Sequence, residues 1–78
     1  MATKIIVYTK DNCPNCNQVK WALNAAEVDY EARNIDADYE YQLEHESYGY
    51  NSVPLTVFPN GKELVGFNFG EFAKELGR

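Results

Sequence analysis

Cysteine is scarce in this chain: there are two, Cys13 and Cys16, with two residues between them. A small secreted domain holds itself together with several bridges spread along its length, and a pair this close encloses too small a loop to staple a fold. The pair is therefore not scaffolding, and a reducing, cytoplasmic setting is expected. Long apolar runs are missing too, so nothing approaches the roughly 18 residues of a membrane span. Met1-Ala2-Thr3-Lys4 leads straight into a strand-like stretch, without the basic start, apolar segment and cleavage site of a signal peptide. Basic residues are few, 7 against 12 acids for a net charge of −5, which argues against nucleic acid as a partner. What remains is a chain of 78 residues, 45% hydrophobic and 24% charged, composed like a folded protein and with room for one domain over residues 1–78.

The charge is unevenly spread. From Glu27 to Glu46 there are eight acids against Arg33 alone, a net −7, whereas the remainder holds four acids and six bases, a net +2. A run of this kind reads either as a solvated helix face or as an acidic flank that steers partners toward a neutral-to-basic working face.

Apolar periodicity gives the order of elements. Residues 4–8, Lys-Ile-Ile-Val-Tyr, are short and β-branched, as a buried strand requires. Asp11 and Asn12 offer capping side chains just before Pro14, which suits a first helical turn. Cys16, Val19, Leu23 and Ala26 then recur at helical spacing, predicting a helix over residues 14–27. Residues 28–35 read as a second strand. Asp36 can cap a second helix over residues 38–47, with Tyr39, Leu43 and Tyr48 facing inward and Gly49 as its stop. Residues 53–58 and 62–65 are strands about a Pro59-Asn60-Gly61 turn. Phe69, Phe72, Ala73 and Leu76 stand at i, i+3, i+4 and i+7, the pattern of an amphipathic last helix. The order β-α-β-α-β-β-α predicts an α/β fold, a four-stranded sheet with three helices packed on its faces.

Cys13-Pro14-Asn15-Cys16 falls where the first strand runs into the first helix. Unpaired N–H groups and the macrodipole at a helix start favour a thiolate, which lowers the pKa of Cys13 and makes it the nucleophile. Cys16, one turn inside, is placed to attack a mixed disulfide and release the product. Dithiol–disulfide exchange is the reading favoured by this spacing in a βαβ context. A metal site would need about four ligands and finds two thiols and a distant His45; the third reading is a pair of inert core thiols. Asn15 either hydrogen-bonds or faces solvent.

Ser52-Val53-Pro54 is the second constellation. Pro54 is either a strand-opening proline without a ladder donor or the second residue of a cis bond. In the cis reading, the N–H and C=O of Val53 are exposed to pair with an extended segment of a partner. Tyr8 reads as packing, Tyr39, Tyr41, Tyr48 and Tyr50 as core and surface cover, Trp21 as lying off the apolar stripe and His45 as a surface residue.

Val7-Tyr8-Thr9-Lys10, Cys13-Pro14-Asn15-Cys16, Val53-Pro54 and Gly66-Phe67 together make the chain resemble the glutaredoxin branch of the thioredoxin superfamily, over nearly its whole length. The resemblance implies a thioredoxin-like fold with a four-stranded mixed sheet, a cis proline at Pro54, Cys13 as nucleophile, Cys16 as resolving thiol and a redox-active disulfide between them. It implies no bound cofactor: electrons come from glutathione, or from NADPH through thioredoxin reductase. Where glutathione-binding members commonly carry Gly-Gly followed by Ser/Thr-Asp, this chain has Val65-Gly66-Phe67-Asn68-Phe69, without the carboxylate that meets the tripeptide's ammonium. Lys10 remains available to the glycyl carboxylate. The Gly66-Phe67 pair and short chain are similar to the glutaredoxin-like redoxins that reduce ribonucleotide reductase, although Asn68-Phe69-Gly70 stands where those usually have Arg-Pro-Asp. Expected of such a protein are monomeric action on a protein disulfide and contacts through Lys10, Pro14, Asn15, Val53, Pro54, Gly66 and Phe67. Phe67 is either a core aromatic or part of a docking face.

Overall fold

The computed structural model describes residues 4–76 and contains seven elements. They are β1 (Ile5–Thr9), α1 (Pro14–Ala25), β2 (Tyr30–Asn34), α2 (Tyr39–Ser47), β3 (Leu55–Val57), β4 (Glu63–Val65) and α3 (Phe69–Leu76). One sheet runs in the order β2-β1-β3-β4. β2 lies parallel to β1, while β3 and β4 are antiparallel to their neighbours, so the sheet is mixed. This is the expected thioredoxin-like architecture.

Side chains alternate across β1, and each face has its own cover. Ile5 and Val7 join Val19 and Leu23 of α1, Phe58, and Phe72 of α3 in one apolar core. Tyr8 points the other way, toward α2, with its ring 6.0 Å from that of His45 and 5.8 Å from that of Tyr48. Two helices thus cover one face and α2 covers the other.

Element ends depart from expectation where local hydrogen bonding decides them. Helix α1 stops at Ala25 rather than 27. Glu27 adopts φ 58° beyond the C-cap Ala26, its N–H donates to Asn24 O, and Val28 N–H donates to Leu23 O. That pair of bonds is a Schellman closure, made here with glutamate where glycine is usual. The second strand accordingly begins at Tyr30, not 28. Neither Asp11 nor Asn12 caps α1; the N-cap is Cys13 itself. Asp38, not Asp36, caps α2, its carboxylate accepting Glu40 N–H at 2.9 Å.

The inward face of α2 also differs. Tyr39 and Leu43 are exposed, and the buried residue is His45, at 4% exposure. Tyr41, His45 and Tyr48 stand at i, i+4 and i+7, so the helical period is present but carried by residues that a purely apolar count passes over. Gly49 ends the helix at φ +84°, a conformation that favours glycine. In α3, Phe72 is buried, whereas Phe69 is 66% exposed.

Candidate active site

Four chain segments meet at one end of the sheet. The parallel register Thr9↔Asn34 places the exits of β1 and β2 side by side, and Ile35 N–H donates to Thr9 O at 2.8 Å. The antiparallel register Tyr8↔Leu55 brings Pro54, at the entry of β3, to the same end. Gly66, just past β4, donates its N–H to Pro54 O at 2.8 Å. It does so at φ +78°, again a glycine conformation. The Cys13–Cys16 loop leaves from this end of β1.

Within the loop, Asn12 takes φ 55°, a left-handed conformation asparagine tolerates, and turns the chain into the helix. Cys13 follows in extended conformation as N-cap, and Pro14 occupies the first helical turn. Cys16 N–H donates to Cys13 Sγ at 3.2 Å. The sulfur therefore stands in the place of a capping oxygen and receives one of the helix's unpaired donors, an arrangement that stabilises a thiolate once the disulfide is opened. The two cysteines are disulfide-bonded, with Cα atoms 5.2 Å apart. Exposure is 9% at Cys13 and 1% at Cys16, so a group approaching from solvent meets Cys13.

A small polar latch ties this loop to the exit of β2. Asn34 Nδ2 donates to Asp11 Oδ1 at 2.9 Å, Asp11 N–H to Asp36 Oδ2 at 3.1 Å, and Asp36 N–H to Asn34 Oδ1 at 2.8 Å. Asp11 and Asp36, expected as helix caps, serve here to hold the loop instead.

The remaining expected residues surround this end of the sheet. Lys10, Pro14 and Asn15 are exposed on the loop. The Val53–Pro54 bond is cis, Pro54 is buried and Val53 is half-buried. Both lie outside β3, which begins at Leu55, so expecting a strand from 53 overruns by two residues. Phe67 is half-buried, packs against the apolar core and holds its ring 5.6 Å from that of Phe72.

Beneath α2 lies a second group that periodicity did not reveal. Tyr8 Oη donates to Glu44 Oε1 at 2.9 Å, and Arg33 Nη1 donates to the same oxygen at 2.6 Å and to Tyr8 Oη at 3.4 Å. Arg33 also pairs with Glu31, and its guanidinium stands 6.0 Å and 5.6 Å from the ring centres of Tyr8 and Tyr41. Burial, followed by the hydrogen bond to Glu44, raises the pKa of Tyr8 well above the usual tyrosine value, so the hydroxyl stays neutral. The carboxylates of Glu31 and Glu44 hold Arg33 firmly protonated. His45, expected at the surface, is instead buried beside this group, with Nε2 2.8 Å from Ser52 O.

The sequence pattern of the glutaredoxin family matches residues 5–64. The chain is 30% identical over 70 residues to the glutaredoxin-like protein NrdH of Lactococcus lactis subsp. lactis, covering 90% of this chain and 96% of that protein. It is 33% identical over 64 residues to the Gene 56 protein of Mycobacterium phage L5, covering 81% of this chain but spanning only 62% of that protein's length. Among solved structures, a glutaredoxin of Archaeoglobus fulgidus superimposes with a TM-score of 0.79 at 28% identity, over 96% of this chain and 86% of that one. Sequence pattern, relatives and the cysteine pair at the strand-to-helix junction agree: the chain belongs to the glutaredoxin family, close to its NrdH-like members.

Proposed function

We propose that the chain is a dithiol–disulfide oxidoreductase acting as a single domain on protein disulfides. The observation that carries this reading is the Cys13 sulfur, which takes the N-cap position of α1 and accepts Cys16 N–H, while Cys16 lies buried behind it. In the reduced protein the Cys13 thiolate attacks one sulfur of a substrate disulfide. A mixed disulfide forms and the other substrate sulfur leaves as a thiolate. Cys16, deprotonated, then attacks Cys13 Sγ. The Cys13–Cys16 bond closes, the second substrate sulfur leaves as a thiolate, and two electrons have passed to the substrate. An external reductant reopens the bond, either two glutathione thiols or NADPH through thioredoxin reductase.

Substrate binding is assigned to the backbone of Val53. Among the described residues its N–H and C=O take no backbone or side-chain partner, and an extended peptide laid beside Val53-Pro54 would supply them. Lys10 adds positive potential, and Pro14, Asn15, Gly66 and Phe67 border the contact. Ribonucleotide reductase is the candidate substrate by resemblance, and a reducing cytoplasm the matching compartment. The missing acid near Gly66 favours thioredoxin reductase over glutathione as donor.

The test supplies NADPH with thioredoxin reductase, or with glutathione and glutathione reductase, and follows insulin disulfide reduction. Turnover with either donor is expected for the native protein, and its loss by at least about a hundredfold in Cys13→Ser, since that change removes the attacking thiolate. Cys16→Ser should accumulate a mixed disulfide at Cys13. A native protein that reduced insulin with neither donor would overturn the reading.

A further inference from the structure

The peptide group between Ser52 and Val53 is held from behind by a buried histidine. His45 stands in the last turn of α2 with 4% exposure, and its Nε2 lies 2.8 Å from the carbonyl oxygen of Ser52. That oxygen is an acceptor only, so Nε2 carries the proton and donates. The imidazole is itself fixed by packing, its ring 6.0 Å from the Tyr8 ring at a tilt of 51°. Its neighbour Glu44 accepts the Tyr8 hydroxyl. Strand β1, which leads to the cysteines, and the last turn of α2 are thereby locked together.

A peptide unit is planar, and across the trans form C=O and N–H point in opposite directions. Ser52 O and Val53 N–H belong to one such unit. Holding the oxygen toward α2 therefore turns the Val53 N–H away from α2, outward. The neighbouring ties do not do this. Tyr50 Oη donates to Glu63 Oε1 at 3.0 Å and anchors a side chain two residues earlier. Gly66 N–H donates to Pro54 O and fixes the peptide after the proline. Residues 50–54 belong to no helix or strand, so no ladder orients the Ser52–Val53 unit in their place.

We infer that His45 is a positioning residue, which sets the orientation of the Val53 N–H so that an extended peptide substrate can pair with it. The inference rests on the proposed disulfide reductase activity for its functional consequence, but the orientation itself is a property of the free protein. It also accounts for a histidine on the inward stripe of α2, where an apolar side chain would pack equally well and hold nothing.

Three proteins test this: native, His45→Leu, which fills much of the same space without a donor, and His45→Gln, whose amide reaches a similar distance and can donate. Two substrates are compared, insulin, which must dock its chain, and 5,5′-dithiobis(2-nitrobenzoate), a small disulfide with no backbone to pair. In His45→Leu the KM for insulin should rise about fivefold relative to that for the small disulfide, the scale of one lost neutral hydrogen bond. His45→Gln should restore most of the difference. Equal losses on both substrates, or no change in the ratio, would overturn the inference. Amide 15N relaxation of Val53 in the reduced, substrate-free proteins is read in parallel. It should show added motion in His45→Leu and near-native order in His45→Gln, and unchanged order in His45→Leu would also overturn the inference. Should the native protein reduce neither substrate, the activity reading fails while the Val53 relaxation still decides the role of His45.

Discussion

Helices α1 and α2 cover opposite faces of the same central strand by different chemistry. Helix α1 buries Cys16, Val19 and Leu23, an apolar stripe that continues into the core through Ile5, Val7 and Phe72. Helix α2 buries a single residue, His45, and is held by a tyrosine, an arginine, a glutamate and tilted contacts between rings. Burial of carbon is non-directional and tolerates small shifts, so the first helix supplies most of the cohesion. Hydrogen bonds are directional and weaker in net energy, so the second supplies placement. The dithiol sits on the first and the backbone that would receive substrate is braced by the second. A cysteine pair anchored in apolar core beside a segment anchored by polar contacts is a division of labour that substitutions can separate.

The largest effect should come from the apolar side. Leu23→Ala removes a fully buried side chain and is expected to cost about 2–5 kcal/mol, read as a lowered urea midpoint. In a chain this short that is a large share of the total stability. If the loss were under about 1 kcal/mol, the contrast between the two helices would collapse.

On the polar side the expected losses are smaller and differ in character. Arg33→Met keeps a chain that can lie over the rings but removes the cation paired with Glu31 and Glu44. It should cost about 1 kcal/mol, since its partners remain partly exposed and solvated. The variant also leaves eight acids between Glu27 and Glu46 with no base, so its stability should rise with added salt more than the native protein's does. An identical response to salt would show that the acidic segment is simply solvated.

Tyr8→Phe is the mildest and most specific change. It keeps the ring against His45 and Tyr48 and removes the hydroxyl, leaving Glu44 its bond to Arg33. A loss of about 1 kcal/mol or less is expected at neutral pH. The sign at high pH follows from the raised pKa. A folded value above the unfolded one, about 10, means the contribution is complete below that pH and is lost as pH rises through the folded value. Native stability should therefore fall above pH 10 more steeply than that of Tyr8→Phe, and parallel pH profiles would remove Tyr8 from the account.

The same contrast explains how much could be read in advance. The stripe Cys16, Val19, Leu23 marked α1 and its buried face, because apolar period and tertiary burial coincide there. The residues Asn60 and Gly61 marked the β3–β4 turn, where Gly61 takes φ +91° and its N–H donates to Phe58 O at 2.9 Å. For α2 the period was filled by Tyr41, His45 and Tyr48, and an apolar count placed Tyr39 and Leu43 inside instead. Asp11 and Asp36 carry capping side chains at plausible positions, but each is drawn into a latch across the chain, the Asp11 carboxylate accepting from Asn34, 23 residues on, and the Asp36 carboxylate accepting the N–H of Asp11, 25 residues back. No local rule shows such a pairing.

By itself the sequence determined the order of elements, the two cysteines one helical turn apart, the stop at Gly49 and a short first strand, read over 4–8 and observed over Ile5–Thr9, all of which depend on neighbours within a few positions. Tertiary structure alone decided that Cys13 caps its own helix, that Val53 lies beside the exit of β1, and that His45 is inside, bonded to Ser52. The physical reason is range. Periodicity and turn chemistry act over a handful of residues, whereas the exits of β1, β2 and β4 and the entry of β3 reach one end of the sheet through strand register, which pairs Tyr8 with Arg33 on one side and Leu55 on the other.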